Sequence, residues 1–270
     1  EEATIFYSRW DEIEVVLSGP FRATLRYQGV LEPDASDYFL RPMRFTFELN
    51  AYAGSEILTL SYRLFNLSGM ILDIEDMSLL VPLNMSNQPK VIWAADKEPV
   101  SLTEDGLVLK QSTSGSYSIS TKEKESTSSG FLGQILNRFT STKPIGTGRR
   151  SEGWIGVQDG QRSVMANIKR FWELAPKAIS VTEEGFELHL FSSENTYKYY
   201  RPRPGEAGKN EVMLVFGGAE LKPSTMSKLA SSFRRPPRLF SSEYFSSTGA
   251  FGMVASFPFE NDEFKELGKL

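Results

Sequence analysis

The sequence predicts an all-β protein built as a large two-sheet antiparallel sandwich, and three observations lead there. Apolar and polar residues alternate with a period of two over many separate runs, as in strands with one buried face. Most runs are bounded by Gly, Pro, Asp or Asn, and the strand–helix alternation of a parallel α/β sheet is missing. At roughly one strand per 8–12 residues the chain implies on the order of fifteen strands, more than an open sheet usually carries before it splits into two layers.

After a Gly19-Pro20 turn, Phe21, Ala23, Leu25 and Tyr27 are expected to face inward, with Arg22, Thr24 and Arg26 outward. Phe45, Phe47, Leu49 and Ala51 repeat the pattern. So do Leu58, Leu60, Tyr62 and Leu64 beyond the Ala53-Gly54-Ser55 turn, which makes the two runs a hairpin of long strands. Further strands are expected at 77–83, 107–110, 154–157, 163–168, 186–191 and 212–216. Helix signals are short: Phe131, Ile135, Leu136 and Phe139 share one face, and Pro223 suits the first turn of a second helix. Residues 111–130, rich in Ser and Thr, are expected to form an exposed loop or ragged hairpin. The last residues, 260–270, look helical behind Asn261 or Asp262 and would lead into a further domain.

With 270 residues and 40% hydrophobic content, one domain with one elongated core is the expectation. A net charge of −4 with no long basic run argues against nucleic acid as a partner. No apolar stretch is long enough to span a bilayer, and the start Glu1-Glu2-Ala3-Thr4 reads as that of a processed or excised segment. A soluble chain is expected, in an extracellular or periplasmic location. The absence of Cys removes disulfides, thiolate nucleophiles and cysteine zinc sites, and the lone histidine leaves no recognisable metal spacing. No P-loop, dinucleotide fingerprint or Gly-x-Ser-x-Gly occurs, so neither a cofactor nor hydrolase-triad chemistry is expected.

The most informative block is Trp154-Ile155-Gly156-Val157-Gln158-Asp159-Gly160, followed by a strand and then Phe171-Trp172-Glu173-Leu174-Ala175-Pro176-Lys177. Asp159-Gly160 reads as a two-residue type I′ turn. The block resembles the central domain of the rhamnogalacturonan exolyase, or YetA-like, family, in which a Trp-x-Gly-Val-x-Asp-Gly hairpin leads to Phe-Trp and Pro-Lys. Tyr52-Ala53-Gly54-Ser55, the segment from Gly205 to Phe216 and the stretch from Phe245 to Gly252 resemble further family segments in the same order. The family often carries Thr-His after a lysine, where this chain has Asn210 and Glu211 after Lys209. The resemblance implies a galactose-mutarotase-like supersandwich, flanked in the complete protein by a barrel and an α/α toroid. It also implies eliminative cleavage of an acidic polysaccharide by that protein, with this chain as its middle part.

Elimination needs a base for the proton α to a uronate carboxylate and a cation for the charge that develops. His189, Lys177 and Arg63 are the candidates for those roles. The only histidine, His189, points away from Phe186, Leu188 and Leu190, toward solvent or the second sheet; a structural role is its competing reading. Trp154 and Trp172 suit sugar stacking, with core packing as the alternative. Tyr197, Tyr199, Tyr200, Arg201 and Arg203 form an aromatic and basic loop that suits an acidic sugar, or is simply solvated. Asp159 is a ligand contact, a partner of Lys177 or Arg63, or a turn cap. The competing class for the whole chain is a noncatalytic sugar-binding or structural domain.

Overall fold

A computed structural model describes residues 4–33, 43–84, 89–94, 100–101, 106–122, 141–182, 184–193 and 198–236. The chain divides into two compact units, Glu1–Arg234 and Arg235–Leu270. The architecture that follows is that of the first; the expected helices at 131–139 and 260–270, and the segment from Phe245 to Gly252, lie outside the described residues.

Fifteen described strands form two antiparallel sheets, the two-layer class the alternation predicts. Nine strands make the larger sheet. In spatial order these are β1 (Phe6–Ser18), β2 (Arg22–Pro33), β3 (Met43–Tyr52), β4 (Ile57–Phe65), β15 (Ala207–Gly217), β12 (Ser163–Ile168), β11 (Trp154–Gln158), β6 (Lys90–Trp93) and β7 (Val100–Ser101). The smaller sheet runs β10 (Ser141–Gly148), β9 (Ser116–Lys122), β8 (Leu107–Thr113), β13 (Lys177–Thr182), β14 (Gly185–Ser192) and β5 (Asp76–Pro82).

The core lies between the sheets, where Phe45, Leu60, Ile155 and Leu214 of one meet Leu109 and Ile179 of the other. Period two sends the alternate residues of β11, β12 and β15 to the opposite face. There Trp154, Met165, Met213 and Val215 pack beneath helix α1 (Pro223–Arg234), chiefly against Met226 and Ala230. The proline-initiated helix is thus where the sequence places it. It lids the outside of the larger sheet.

Three local findings correct the sequence reading. Phe21 is 82% exposed, because it precedes β2 at the hairpin turn instead of lying within the strand. The part of 111–130 that is described takes the hairpin alternative, β8 paired with β9, and only the expected exposure is corrected, since Gln111, Ile119 and Ser120 are buried. Asp159-Gly160 does not form a type I′ turn. That turn needs positive φ at both central residues, and among the described residues only Arg170 is a non-glycine with positive φ. The ladder closes at Gln158↔Ser163, and the Asp159 carboxylate accepts from the backbone N–H groups of Gln161 and Arg162 at 2.9 and 2.7 Å.

Strand β1 is a finding the alternation does not give. Register shifts at Trp10/Glu12 and Val15/Leu17 break its period, yet it pairs with β2 along its length. Trp10 lies opposite Gly29 and sets its ring edge-on to Phe45, at 5.2 Å. A Cβ on Gly29 would stand 3.1 Å from that phenylalanine and 2.0 Å from the Arg9 carbonyl oxygen, so only glycine fits. On the other face Arg26 bridges Glu14 and Glu48 across three strands.

Candidate functional site

Strand direction sorts the candidate residues between the two ends of the sandwich. Asp159 lies at one end, at the tip of the β11–β12 hairpin. The β12–β13 connection, the start of β5, the end of β14 and the start of β15 meet at the other end. Lys177, Trp172, Tyr199, Tyr200 and Arg201 gather at that second end, with Arg63 opposite Lys209 in the β4–β15 ladder. Asp159 is therefore a turn cap, distant from both Lys177 and Arg63. Replacing it with Ala removes both bonds to the backbone N–H groups of Gln161 and Arg162 and is expected to destabilise the fold by about 1–2 kcal/mol, read as a lower denaturation midpoint.

The three proposed catalytic groups do not converge. Lys177 shares the inward parity of Ile179 and Val181, and its Nζ reaches across the core to Asn210 Oδ1 of the larger sheet at 2.6 Å. It also donates to the Leu190 carbonyl at 2.6 Å, and the side chain is 1% exposed. Burial pushes the Lys177 ammonium down to about 7. A neutral amine has two N–H groups, matched here by two acceptors. His189 projects from the opposite face of β14, as parity predicts, but it is buried. Its Nδ1 lies 2.9 Å from Asp76 Oδ2, its Nε2 lies 3.1 Å from Ser180 Oγ, and Glu187 stands 3.7 Å away. The expectation that His189 faces solvent or the second sheet is corrected: it lies on the β14 face away from the core between the sheets and is buried there. Arg63 is exposed on the outer face of the larger sheet, since Tyr62 and Leu64 take the inner one.

Ser180, His189 and Asp76 thus line up as hydroxyl, imidazole and carboxylate on three adjacent strands. Sequence reasoning misses the alignment because only strand pairing brings Asp76 beside a residue 113 positions away. With serine and histidine both buried, the alignment offers no hydroxyl to a substrate from solvent. Among the described residues no group of three or more His, Asp or Glu is placed to hold a metal ion.

The accessible chemistry is at the same end, in the segment before β15. Residues Tyr200 and Ile74 form an isolated antiparallel bridge, with both backbone hydrogen bonds made, at 2.8 and 3.0 Å. Beyond it, the buried Asn66 amide donates to the Pro202 and Met70 carbonyls, and Gly205 N–H donates to the Asn66 carbonyl. These bonds pin the loop. Tyr200 turns inward against Phe191, with ring centroids 5.8 Å apart, so its extended neighbours Tyr199 and Arg201 are directed outward together. Its phenol also fills the space over Gly208, where a Cβ would stand 2.4 Å from the oxygen. The Lys198 ammonium and the Arg201 guanidinium lie 5.0 and 5.2 Å from the Tyr199 ring. The bridge register places Asp73 opposite Arg201, and the two form a bidentate pair at 2.7 and 2.9 Å. Tyr197 lies outside the described residues.

The two tryptophans have different fates. Trp172, half-buried in the β12–β13 connection, carries the Arg150 guanidinium 4.1 Å above its ring. Trp154 is 1% exposed beneath α1, and its Nε1–H donates to Glu152. That placement removes Trp154 as a stacking platform, because both ring faces are packing surface. Asp73, Lys198 and Arg150 were not singled out by the sequence; the partners of Asp73 and Arg150, Arg201 and Trp172, are distant in the chain.

The fold and this end of it define an antiparallel β-sandwich with an aromatic and cationic edge. No family model matches the chain, and no curated protein matches it. Among solved structures it is similar to a protein assigned as an aldose 1-epimerase from Klebsiella pneumoniae, at 10% identity and TM-score 0.41, over 84% of this chain and 59% of that one. It is also similar to the GH36 alpha-galactosidase AgaA A355E from Geobacillus stearothermophilus, at 14% identity and TM-score 0.42, over 90% of this chain and 32% of that one. A galactose mutarotase related enzyme from Lactobacillus acidophilus aligns at 11% identity and TM-score 0.35, over 78% of this chain and 74% of that one. The chain therefore spans 59% of the first of these proteins and about a third of the second. None of these likenesses says what this chain acts on.

Proposed function

We propose that this chain is a saccharide-binding β-sandwich module of a carbohydrate-processing protein. In the reading that the Trp154–Lys177 resemblance suggests, that protein cleaves rhamnogalacturonan by elimination outside the cell or in the periplasm. The module supplies one wall of the binding site, and flanking parts of the protein supply the proton transfer.

The observation that carries this reading is the sandwich end where Tyr199, flanked by Lys198 and Arg201, and Trp172, under Arg150, lie in a chain of net charge −4. Aromatic rings offer a flat apolar surface to the C–H face of a pyranose, and guanidinium groups pair with carboxylate. Lys177 and His189 support a binding role over a catalytic one for the chain alone, because both are buried and already hydrogen-bonded within the fold.

Calorimetric titration with oligogalacturonates and with neutral galacto-oligosaccharides tests the reading. The expected result is saturable binding with a dissociation constant on the order of 1 mM or tighter, about 4 kcal/mol. Trp172→Ala and Tyr199→Ala should each weaken it about 3- to 10-fold, at the cost of about one ring–sugar contact. No ultraviolet absorbance from an unsaturated uronate product should develop with the chain alone. Absence of saturable binding to any acidic or neutral oligosaccharide would refute the proposal.

A further inference from the structure

We propose that Asp73 is a positioning residue: it holds the Arg201 guanidinium by its side edge, so that the end edge is presented to the carboxylate of a uronate sugar. This rests on the reading of this sandwich end as the saccharide-binding end, and it names the chemistry that the end would select.

A guanidinium has five N–H groups arranged along two usable edges. Arg201 gives Nε–H to Asp73 Oδ1 at 2.7 Å and one Nη2–H to Asp73 Oδ2 at 2.9 Å, which fills the side edge. Both N–H groups of Nη1 and the second of Nη2 have no partner among the described residues. One N–H of Nη1 and the remaining N–H of Nη2 form the end edge, whose two parallel N–H directions match the two oxygens of a carboxylate. The side chains of Arg201 and Asp73 are 60% and 45% exposed, so the pair contributes little to holding the fold together. Its orientation is nonetheless determined from behind, because Asp73 adjoins Ile74, whose bridge to Tyr200 fixes the strand that carries Arg201. The guanidinium carbon lies 5.2 Å from the centre of the Tyr199 ring, close enough for a single sugar ring to touch both residues.

Two opposing effects decide the sign of removing Asp73. Its carboxylate repels a second carboxylate on the neighbouring edge, but both are in water and screened by salt. Without Asp73, Arg201 is a long solvated side chain that must give up its rotamer freedom when the ligand binds. The second effect is the larger at such an exposed site. The bond from Arg201 holds the Asp73 carboxyl below the usual carboxylate range, which keeps it ionised and in place at neutral pH.

The test uses the whole chain titrated with digalacturonate and, separately, with the neutral digalactose, while the Nε–H resonance of Arg201 is followed by NMR. Wild type should bind digalacturonate more tightly than digalactose and shift the Arg201 resonance. Asp73→Ala should weaken digalacturonate about 5-fold, Asp73→Asn should recover part of that loss, and Arg201→Lys should abolish the preference for the acid. The melting temperature should stay the same in all three variants, and in each the loss should be larger for digalacturonate than for digalactose, which a merely structural role would not produce. Unchanged or tighter digalacturonate binding by Asp73→Ala would overturn the positioning role. Equal wild-type binding of the two dimers would overturn carboxylate selection while leaving saccharide binding in place, and binding of neither would overturn both.

Discussion

Lys177→Ala is expected to destabilise the protein by about 3 kcal/mol or more. Truncation opens a cavity at the end of the core and leaves the Leu190 carbonyl and Asn210 Oδ1 without the donor that joins the two sheets there. Chemical denaturation would report the loss as a lower midpoint. The double replacement Lys177→Met with Asn210→Leu should recover much of it, because removing both polar partners avoids stranding either one. The wild type should also show a pH signature. Folded Lys177 releases its proton near 7, against 10.5 for the ordinary lysine, because burial disfavours the charged form. Between those values the unfolded chain holds the additional proton, so stability rises with pH by up to ~1.4 kcal/mol per unit. Below about 7 both states are protonated and the full cost of the buried charge remains. The double variant should flatten the rise.

Trp154→Ala should be comparably severe, at about 3–5 kcal/mol, while Trp172→Ala should change stability by about 1 kcal/mol or less. Trp154 anchors α1 to the larger sheet beside Met165, Met213 and Met226, and its loss leaves a ring-sized void under the helix. Trp172 is half-buried, with the Arg150 guanidinium over its ring. Thermal melts paired with saccharide titrations separate the two residues: the first variant should lose stability, the second binding. Equal stability losses would show that Trp172 is core rather than surface.

The strands legible in the sequence are those whose one face is strictly apolar. β4, β8, β12 and β14 each place their alternating Leu, Val or Phe residues into the core as the pattern requires. β1 escapes because two bulges shift its phase and Asp11, Glu12 and Glu14 interrupt its apolar residues. β13 is hidden for a different reason. It begins with a lysine on the inward face, and nothing local reveals that Asn210, 33 residues on, will meet that amine. The candidate site shows the same division. The aromatic and basic run at 197–203 is visible as composition, and the outward pairing of Tyr199 with Arg201 follows from period two once Tyr200 is known to turn inward. Its bidentate partner Asp73 lies 128 residues away and becomes visible only through the Ile74↔Tyr200 bridge. For His189 the parity was readable and the burial was not, because parity assigns a face but not what lies against it.

The sandwich end carrying Trp172, Tyr199 and Arg201 is the surface proposed to receive saccharide. Hydrogen exchange measured by mass spectrometry, with and without saturating oligogalacturonate, tests it most directly. The account predicts new protection in peptides covering 148–152, 169–175 and 198–206, and none at the 158–163 hairpin tip. Protection concentrated at that tip, or no change along the chain under conditions where binding is saturated, would contradict it.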